Sequence, residues 1–512
     1  MDNSGGAGRP RQSLQGSRAT IPSAANRALA SLTVALILFS TTAPAQDEKL
    51  YDLYTKAQAA QQAGDFQTAA GHYEELVRLR PELAEVHANL GSIYYQIHDD
   101  ARAAAALEKA IQLNPKLTAP HFFLGVVASR QQNYEKAIRH LATSAKLDSS
   151  NLVVQFYLGE AYFATRRYAD AASAFQKARA LEEFRADAYY YLSKAYGELS
   201  KQALDQLDGE DPSSFHMQLA RGHFHEGRKS WKEAEKAYDA ALKKNPEAAG
   251  LEARLQWVNR NAASDSRAGP PPPLPEKEAT MLGLLYEPPS EEEIDPMFRA
   301  YEKRLNQGAS VLGDEEKLYR LAEDYQIASY LAARWISKND PGSYRAHQLR
   351  AQLHDSRGET DEAVREYRAA LRLKPNLQNL HFAIGSLLWS LSRFDEALPE
   401  LEAELGINPI HPEAHYEIAD ILQVRGRNAQ AKEHLLVALR QKPDLVEAHL
   451  AIERIYFAEE QFDQALAHMK SAVRLSPQNP TPHYRMSMLY RKLGKTEEAQ
   501  KELQEFQRLQ ER

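Results

Sequence analysis

The chain predicts an all-α fold, an α-solenoid of stacked helical hairpins, on three observations. Pro341, Pro375, Pro409, Pro443 and Pro477 recur every 34 residues, and Pro81 and Pro115 keep the same step nearer the other end. An alanine stands twelve residues before the closing slot of ten units, from Ala69, Ala103, Ala137 and Ala171 through Ala234 to Ala363, Ala397, Ala431, Ala465 and Ala499. Gly64, Gly358, Gly426 and Gly494 fall at one shared place in four units. A fixed period of this size marks one small unit stacked many times, none of which buries its apolar face alone. Proline lacks a backbone N–H and disfavours α geometry in the residue before it, so it closes a helix. Glycine just past a helix end is the usual left-handed cap. Each period therefore reads as helix, tight turn, helix, stop.

The period from Pro409 to Pro443 shows the filling. Ile418, Ile421 and Leu422 lie at helical spacing before Gly426, and Ala431, Leu435, Ala438 and Leu439 lie at helical spacing after it. The alanine slot lets two helices approach closely, and a large residue there would overpack the contact by roughly 1–3 kcal/mol. Bulky partners follow four residues on, among them Tyr73, Leu107, Leu141, Phe175, Tyr238, Leu401 and Met469, while Leu90-Gly91, Leu124-Gly125 and Leu158-Gly159 mark the first helices. This pattern of Leu-Gly, Tyr, Ala, bulky residue, Ala and Pro resembles the tetratricopeptide repeat, over about residues 50–262 and 310–512. The resemblance implies a right-handed superhelix whose concave wall is made by the first helix of each pair. Some units depart from it. Ser149 and Glu183 replace the closing proline, the unit from Ala186 runs into a longer helix through Leu207, and residues 310–341 keep the period with few of the core letters.

Taken in order, residues 1–45 have a basic start, an apolar run over Ala28–Phe39 and a small-residue site at Ala43-Pro44-Ala45. That is the layout of a secretory signal peptide, and the expectation is export to a periplasmic or extracellular setting. The apolar run is short for the ~20 residues that cross a bilayer; the alternative is an inner-membrane anchor over residues 28–45. A first array is expected over 46–262 and a second over 301–512. Between them, 263–300 holds Pro270–Pro273, Pro275, Pro288, Pro289 and Pro296 with the acidic run Glu291–Asp295, a composition expected to be an extended linker. Residues Glu497–Arg512 set one apolar stripe against a polar back and read as an end unit.

Charge and composition exclude several classes. Formal net charge is −7, and removing the first 45 residues, with four Arg against one acid, takes it to −10. An acidic chain with no Lys/Arg block is a poor phosphate binder, so nucleic acid is not an expected partner. With no cysteine, disulfides, thiolate metal sites and a Cys nucleophile are ruled out. Nucleophile elbows, phosphate loops and dinucleotide fingerprints do not occur, so no catalytic residue and no cofactor is expected. Seven histidines (His87, His121, His347, His381, His415, His449 and His483) share the fourth position of their units, a packing slot rather than a ligand cluster. His216, His223 and His225 lack the four ligands of a structural zinc site and the His-Glu-x-x-His spacing of a catalytic one, so no metal is expected there either.

The resemblance places partner-binding residues at the second, fifth, ninth, twelfth and thirteenth positions of a unit. Here the fifth and twelfth positions carry Tyr54, Tyr95, Phe122, Phe156, Phe163, Tyr190, Phe382, Trp389, Tyr416, Phe457 and Tyr484, an aromatic stripe on the inner wall. An exposed strip of this kind marks a partner site; the alternative is that the rings pack on the next unit. Gln58, Gln61, Gln352, Asp420 and Arg454 are the polar neighbours able to pair with a bound backbone. No unit combines Lys at the fifth with Asn at the ninth position, which disfavours a terminal-carboxylate clamp. Only Asn89 matches the sixth-position Asn ladder of O-linked N-acetylglucosamine transferases. The expected function is a non-catalytic scaffold that docks peptide segments of other proteins in the bacterial envelope. The alternative is a regulatory or substrate-recruiting subunit of an envelope enzyme or glycosyltransferase.

Overall fold

The computed structural model describes residues 44–248, 250–263, 271–272, 284, 288–308 and 315–510; the expected leader therefore falls outside the described residues, apart from its last two. The described residues form 24 α-helices and no strand, and none of these helices is long and apolar enough to cross a membrane. The chain divides into two compact units, with the break between Pro341 and Gly342.

The N-terminal unit opens with four hairpins: α1 (Pro44–Gln62) with α2 (Phe66–Leu79), α3 (Ala84–Gln96) with α4 (Asp100–Leu113), α5 (Thr118–Arg130) with α6 (Tyr134–Leu147), and α7 (Leu152–Ala164) with α8 (Tyr168–Ala178). Asp65, Asp99 and Asn133 start the second helices, each side chain accepting from the main-chain N–H three residues on. The turn before each cap needs one residue in the left-handed region, and Gly64 supplies it at φ +77°. Three later turns put His98, Gln132 and Arg166 there instead, at φ +58° to +60°. Inside a hairpin the helices almost touch: a Cβ on Gly91 would lie 2.5 Å from Leu107, so any side chain there forces the pair apart. The ten slot alanines are all buried, nine of them completely.

The fourth-position histidines explain how one hairpin is joined to the next. The ring Nε2 of His87, His415 and His449 donates to the carbonyl of the closing proline before it (Pro81, Pro409 and Pro443) at 2.9–3.0 Å. The other ring nitrogen meets the residue nineteen positions later on the paired helix. That residue is histidine for His121, His415 and His449 (His140, His434 and His468) and glutamate for His347, His381 and His483 (Glu366, Glu400 and Glu502). The expected packing role is thus also a tether, which satisfies a carbonyl left open at a helix end.

After α8 the regular order fails. α9 (Arg185–Glu210) is followed by α10 (Phe215–Gly227), α11 (Trp231–Lys244) and α12 (Leu251–Ala262), then by α13 (Ile294–Gly308) and α14 (Glu315–Asn339). The principal partner of α9 is α14, while α10 barely touches it. The register is that of an ordinary repeat. Ser193 takes the slot held by Gly91 in its own unit, and Ser329 takes the alanine slot twelve residues before Pro341. Ser329 Oγ donates to the Ser193 carbonyl at 2.7 Å. The rings of Tyr189 and Trp335 stack at 3.9 Å, and Tyr196 packs on Tyr325. α9 and α14 are therefore the two helices of one repeat, split by residues 211–314. α13 packs on α14 and closes the site: Glu302 accepts from Arg179 at 2.7 Å and from the Tyr196 hydroxyl at 3.3 Å.

This corrects the expected division. The second array does not begin at 301, and the proposed linker 263–300 is not all linker. Residues 294–300 start α13, with Ile294 and Phe298 buried, and α14 buries Leu318, Tyr319, Ile327, Leu331 and Ile336 within the N-terminal unit. The physical reason is an apolar stripe (Ile294, Phe298, Leu305) beneath a proline- and acid-rich composition; the helix that carries it lies on α14, and its Phe298 ring also meets Tyr189 and Tyr196 of α9, more than 100 residues upstream. Of the rest of that segment, Pro272 is described, and its carbonyl accepts from Arg254 at 2.6 Å.

The C-terminal unit is regular. α15 (Tyr344–Ser356) pairs with α16 (Thr360–Leu373), α17 (Leu380–Ser390) with α18 (Phe394–Ile407), α19 (Pro412–Val424) with α20 (Asn428–Gln441), α21 (Val446–Ala458) with α22 (Phe462–Leu475), and α23 (Pro480–Lys492) with α24 (Thr496–Gln510). One continuous core runs through it from Ala351 to Ala499.

Candidate functional site

The aromatic stripe is present in register but not as an exposed trough. Tyr54, Tyr95, Phe122, Phe156 and Tyr190 are buried; Phe163, Phe382, Trp389, Tyr416 and Phe457 are half-buried; only Tyr484 is exposed. First helices of successive repeats touch one another, and the rings fill that seam. Phe122 meets Tyr157 of the next repeat edge-on, Phe156 stacks on Phe184 at 4.5 Å, and Tyr95 packs on Phe123 under the Arg130 guanidinium. Phe382 lies against His411, and Trp389 meets Tyr416 edge-on. The sequence pattern could not separate these outcomes, because a seam residue and a groove residue share the same helical period.

What the inner wall offers instead is polar. In the N-terminal unit a cavity of about 350 Å³ opens between α1, α3 and the start of α5. Gln58, Gln61 and Gln62 line it from one face of α1, and Asn89, Ser92 and Gln96 from one face of α3, each set at spacings of three or four residues. Tyr54, Tyr73 and Phe123 form its floor, and no charged side chain lines it. The floor orients the amides: Gln58 Nε2 donates to the Tyr54 hydroxyl at 2.9 Å, and the Tyr73 hydroxyl donates to Gln61 Oε1 at 3.3 Å. Burial pushes the Tyr73 hydroxyl well above its ordinary range, which keeps it a donor. Asn89 is 9 % exposed, yet its carboxamide has no hydrogen-bond partner among the described residues. The amide faces the open cavity, where a ligand can reach it. An amide offers one donor pair and one acceptor, which matches the C=O and N–H of a peptide main chain.

In the C-terminal unit a second cavity, about 320 Å³, is lined by Asp420, Gln423, Val424, Asn428, Arg454 and Ile455. Its wall is charged and braced. Asp420 accepts from Trp389 Nε1 at 3.1 Å and from Arg454 at 3.3 Å; Arg454 also donates to Gln423 Oε1 at 2.8 Å. Gln423 Nε2 reaches the main-chain carbonyl of Ala451 at 2.9 Å. Val424 is 65 % exposed at the rim. Tyr416, beneath Trp389, is pushed up to about 12 by burial and then by the nearby Asp420 charge.

Of the polar residues marked in the sequence, Gln58, Gln61, Asp420 and Arg454 line these cavities, whereas Gln352 lines neither. Asn89, Gln62, Ser92 and Gln96 were missed as a group. Their signal was an amide run at groove-facing spacing on two successive first helices. The histidine trio does not assemble: His216 bonds Glu315 at 2.9 Å and His223 meets the Tyr319 hydroxyl at 3.2 Å. Among the described residues no group of three metal-ligating side chains is found.

Models of the tetratricopeptide repeat match residues 54–117, 124–191 and 158–202, residues 344–377, and residues 388–455 and 456–508. Together they span more than half of the chain. No curated protein matches it. Among solved structures, MamA 41-end from Desulfovibrio magneticus RS-1 is 20 % identical with a TM-score of 0.31, covering 33 % of this chain and 95 % of that one. Another MamA structure is 17 % identical with a TM-score of 0.31, covering 33 % and 92 %. YrrB, described as a TPR protein with an unusual peptide-binding site, is 18 % identical with a TM-score of 0.31, covering 35 % and 92 %.

Proposed function

The chain belongs to the tetratricopeptide repeat family, and we propose that it is a non-catalytic scaffold that docks segments of other proteins along its first-helix walls. The observation that carries this reading is the uncharged, amide-lined cavity, into which Asn89 presents a carboxamide that no protein group among the described residues engages. A peptide main chain laid across α1 and α3 would satisfy it, with Gln58, Gln61 and Gln96 as flanking contacts. The eleven aromatic residues act mainly by stiffening the seam beneath; Phe163, Phe382, Trp389, Tyr416, Phe457 and Tyr484 keep enough surface to touch a ligand. The setting we propose is the bacterial envelope, reached by export or held by an anchor over residues 28–45. It is supported by the order of basic, apolar and small residues at the N-terminus.

The test is a library of peptides of about 12 residues, long enough to span several repeat faces, selected on the full chain. For ligands of the N-terminal wall, Asn89→Ala should weaken binding about tenfold, the value of one to two main-chain hydrogen bonds, with an unchanged helical CD spectrum. Selected ligands that bind Asn89→Ala and wild type equally would overturn the reading. Envelope residence is checked separately by the mass of the mature protein and the cell fraction that holds it.

A further inference from the structure

Six carboxylates are buried among the described residues, and five have an opposing group that accounts for them. Glu226 is held by Arg254 and the Tyr238 hydroxyl, Glu302 by Arg179 and the Tyr196 hydroxyl, and Asp324 by Arg304. Glu404 accepts the main-chain N–H of Asn379 at 3.0 Å and of Phe382 at 3.3 Å, at the start of α17. Glu453 is gripped by Arg485 at 2.6 and 2.9 Å through Oε2, which supplies the opposing charge although its Oε1 has no partner. Glu417 has none of this. It is 5 % exposed, its one contact is the Ser386 hydroxyl at 2.8 Å, and its Oε2 is buried without any partner.

The charges that face Glu417 make its position worse, not better. Glu413 and Asp420 on its own helix both repel it, and across the seam α17 contributes only the Ser386 hydroxyl. Burial, followed by that repulsion, raises its carboxyl to about 7 despite the Ser386 bond. An isolated buried carboxylate is tolerated only by taking a proton or by gaining a cation. The residue stands on the inner row of α19, one turn from Asp420, which lines the 320 Å³ cavity. Ser386 and Asp420, its neighbours on either side, are both half-exposed, so Glu417 lies one side chain deep beneath the wall.

We infer that the wall of the C-terminal unit takes a lysine or arginine side chain of a docked segment, whose cation completes Glu417. This rests on the reading that segments dock along these walls, and it adds what the C-terminal one selects. The cation enters from the Asp420 cavity, shares Glu417 with the Ser386 hydroxyl, and displaces the proton that Glu417 otherwise carries. The uncharged N-terminal cavity has no such demand, so the two walls choose different segments.

The same peptide library, selected on the full-length chain and on Glu417→Gln, Glu433→Gln and Asn89→Ala variants, tests this. Gln keeps the acceptor for Ser386, and Glu433 is an exposed glutamate on α20 that controls for overall charge. Wild type should enrich lysine or arginine at one fixed peptide position. Glu417→Gln should lower that enrichment at least about fivefold, a change of roughly 1 kcal/mol in binding, while Glu433→Gln and Asn89→Ala leave it intact. Equal enrichment on wild type and Glu417→Gln, an equal loss on Glu433→Gln, or no fixed cationic position at all would overturn the inference. A failure confined to Asn89→Ala bears on the N-terminal wall alone. A measurement on wild type stands if the variant does not fold: a cationic ligand titrated near neutral pH should release a fraction of a proton, read from heats in two buffers of different ionisation enthalpy. Buffer-independent heat would overturn the inference as well.

Discussion

The split repeat of the N-terminal unit and the uninterrupted repeats of the C-terminal unit obey one packing rule by two routes. In the C-terminal unit the small-residue slot meets its bulky partner within one 34-residue period, as Gly385 meets Leu401. In the N-terminal unit the slot on α9 is Ser193, and the residue that meets it, Ser329, comes from α14 after four intervening helices and the proline-rich stretch. The difference teaches that the unit of this fold is the pair of helix faces, not the stretch of chain. A repeat survives a long insertion between its helices if the two faces remain complementary. The walls diverge in the same way: amides without charge on α1 and α3, and a braced Asp420–Arg454 pair with an uncompensated Glu417 on α19.

The largest effect that would break the comparison lies in the inserted helices. Glu226 and Arg254 are almost wholly buried, and Arg254 holds the carboxylate through both Nε and Nη2. Arg254→Met strands that charge and should cost about 3–5 kcal/mol. Thermal melting followed by limited proteolysis should show α10–α12 becoming cleavable while the C-terminal unit stays protected. Loss of protection in the C-terminal repeats instead would show that the insertion supports more than its own unit.

A smaller effect sharpens the split repeat itself. Trp335 is half-buried and stacks on Tyr189 at 3.9 Å, joining α14 to α9. Trp335→Ala should destabilise the N-terminal unit by about 2–3 kcal/mol, below the range for fully buried aromatics. Hydrogen exchange should then rise first in α9, α13 and α14. Unchanged exchange in α9 would mean that its pairing with α14 is not what holds it.

The smallest effect concerns two versions of one tether. In the His449–His468 pair, burial and then the neighbouring His449 hold His468 down to about 4. The native state therefore favours the neutral ring. Its contribution is complete above the ordinary histidine value near 6.5 and is lost as pH falls through that range toward 4. The His347–Glu366 and His381–Glu400 pairs behave differently. Burial raises their carboxyls, but hydrogen bonds from His347 and Arg350, and from His381 and Arg368, hold both below the ordinary value. Their contribution is lost only as pH falls below about 4.5. His468→Glu converts the first type to the second and should reduce the stability lost between neutral pH and pH 5 by about 1–2 kcal/mol, after allowance for solvent screening. Melting curves against pH would show it; parallel curves for variant and wild type would remove the histidine pair as the cause.

Much of this architecture was legible in the residues. The proline step located the helix ends, Gly64, Gly358, Gly426 and Gly494 all take the positive φ expected of their turns, and the slot alanines are buried as their spacing required. Gln58, Gln61, Asp420 and Arg454 could be named as polar wall residues from position alone. Asn89 could be placed in register but not recognised as unpartnered, since that depends on what α1 and α5 leave open beside it. Glu417 was invisible for the same reason: glutamates are common on these helices, and what sets this one apart is the lack of both an opposing cation and main-chain donors.

The period and the small-residue slots thus determined by themselves that the chain is a stack of helical hairpins, because hairpin packing is a contact between residues close in sequence and leaves its mark in every copy. Where the stack is interrupted and rejoined, which aromatic rings are consumed by the seam, and which buried polar groups are left open were decided only by the tertiary structure. Those outcomes depend on faces brought together from distant parts of the chain, and burial, unlike helical spacing, is a property of the neighbours and not of the residue.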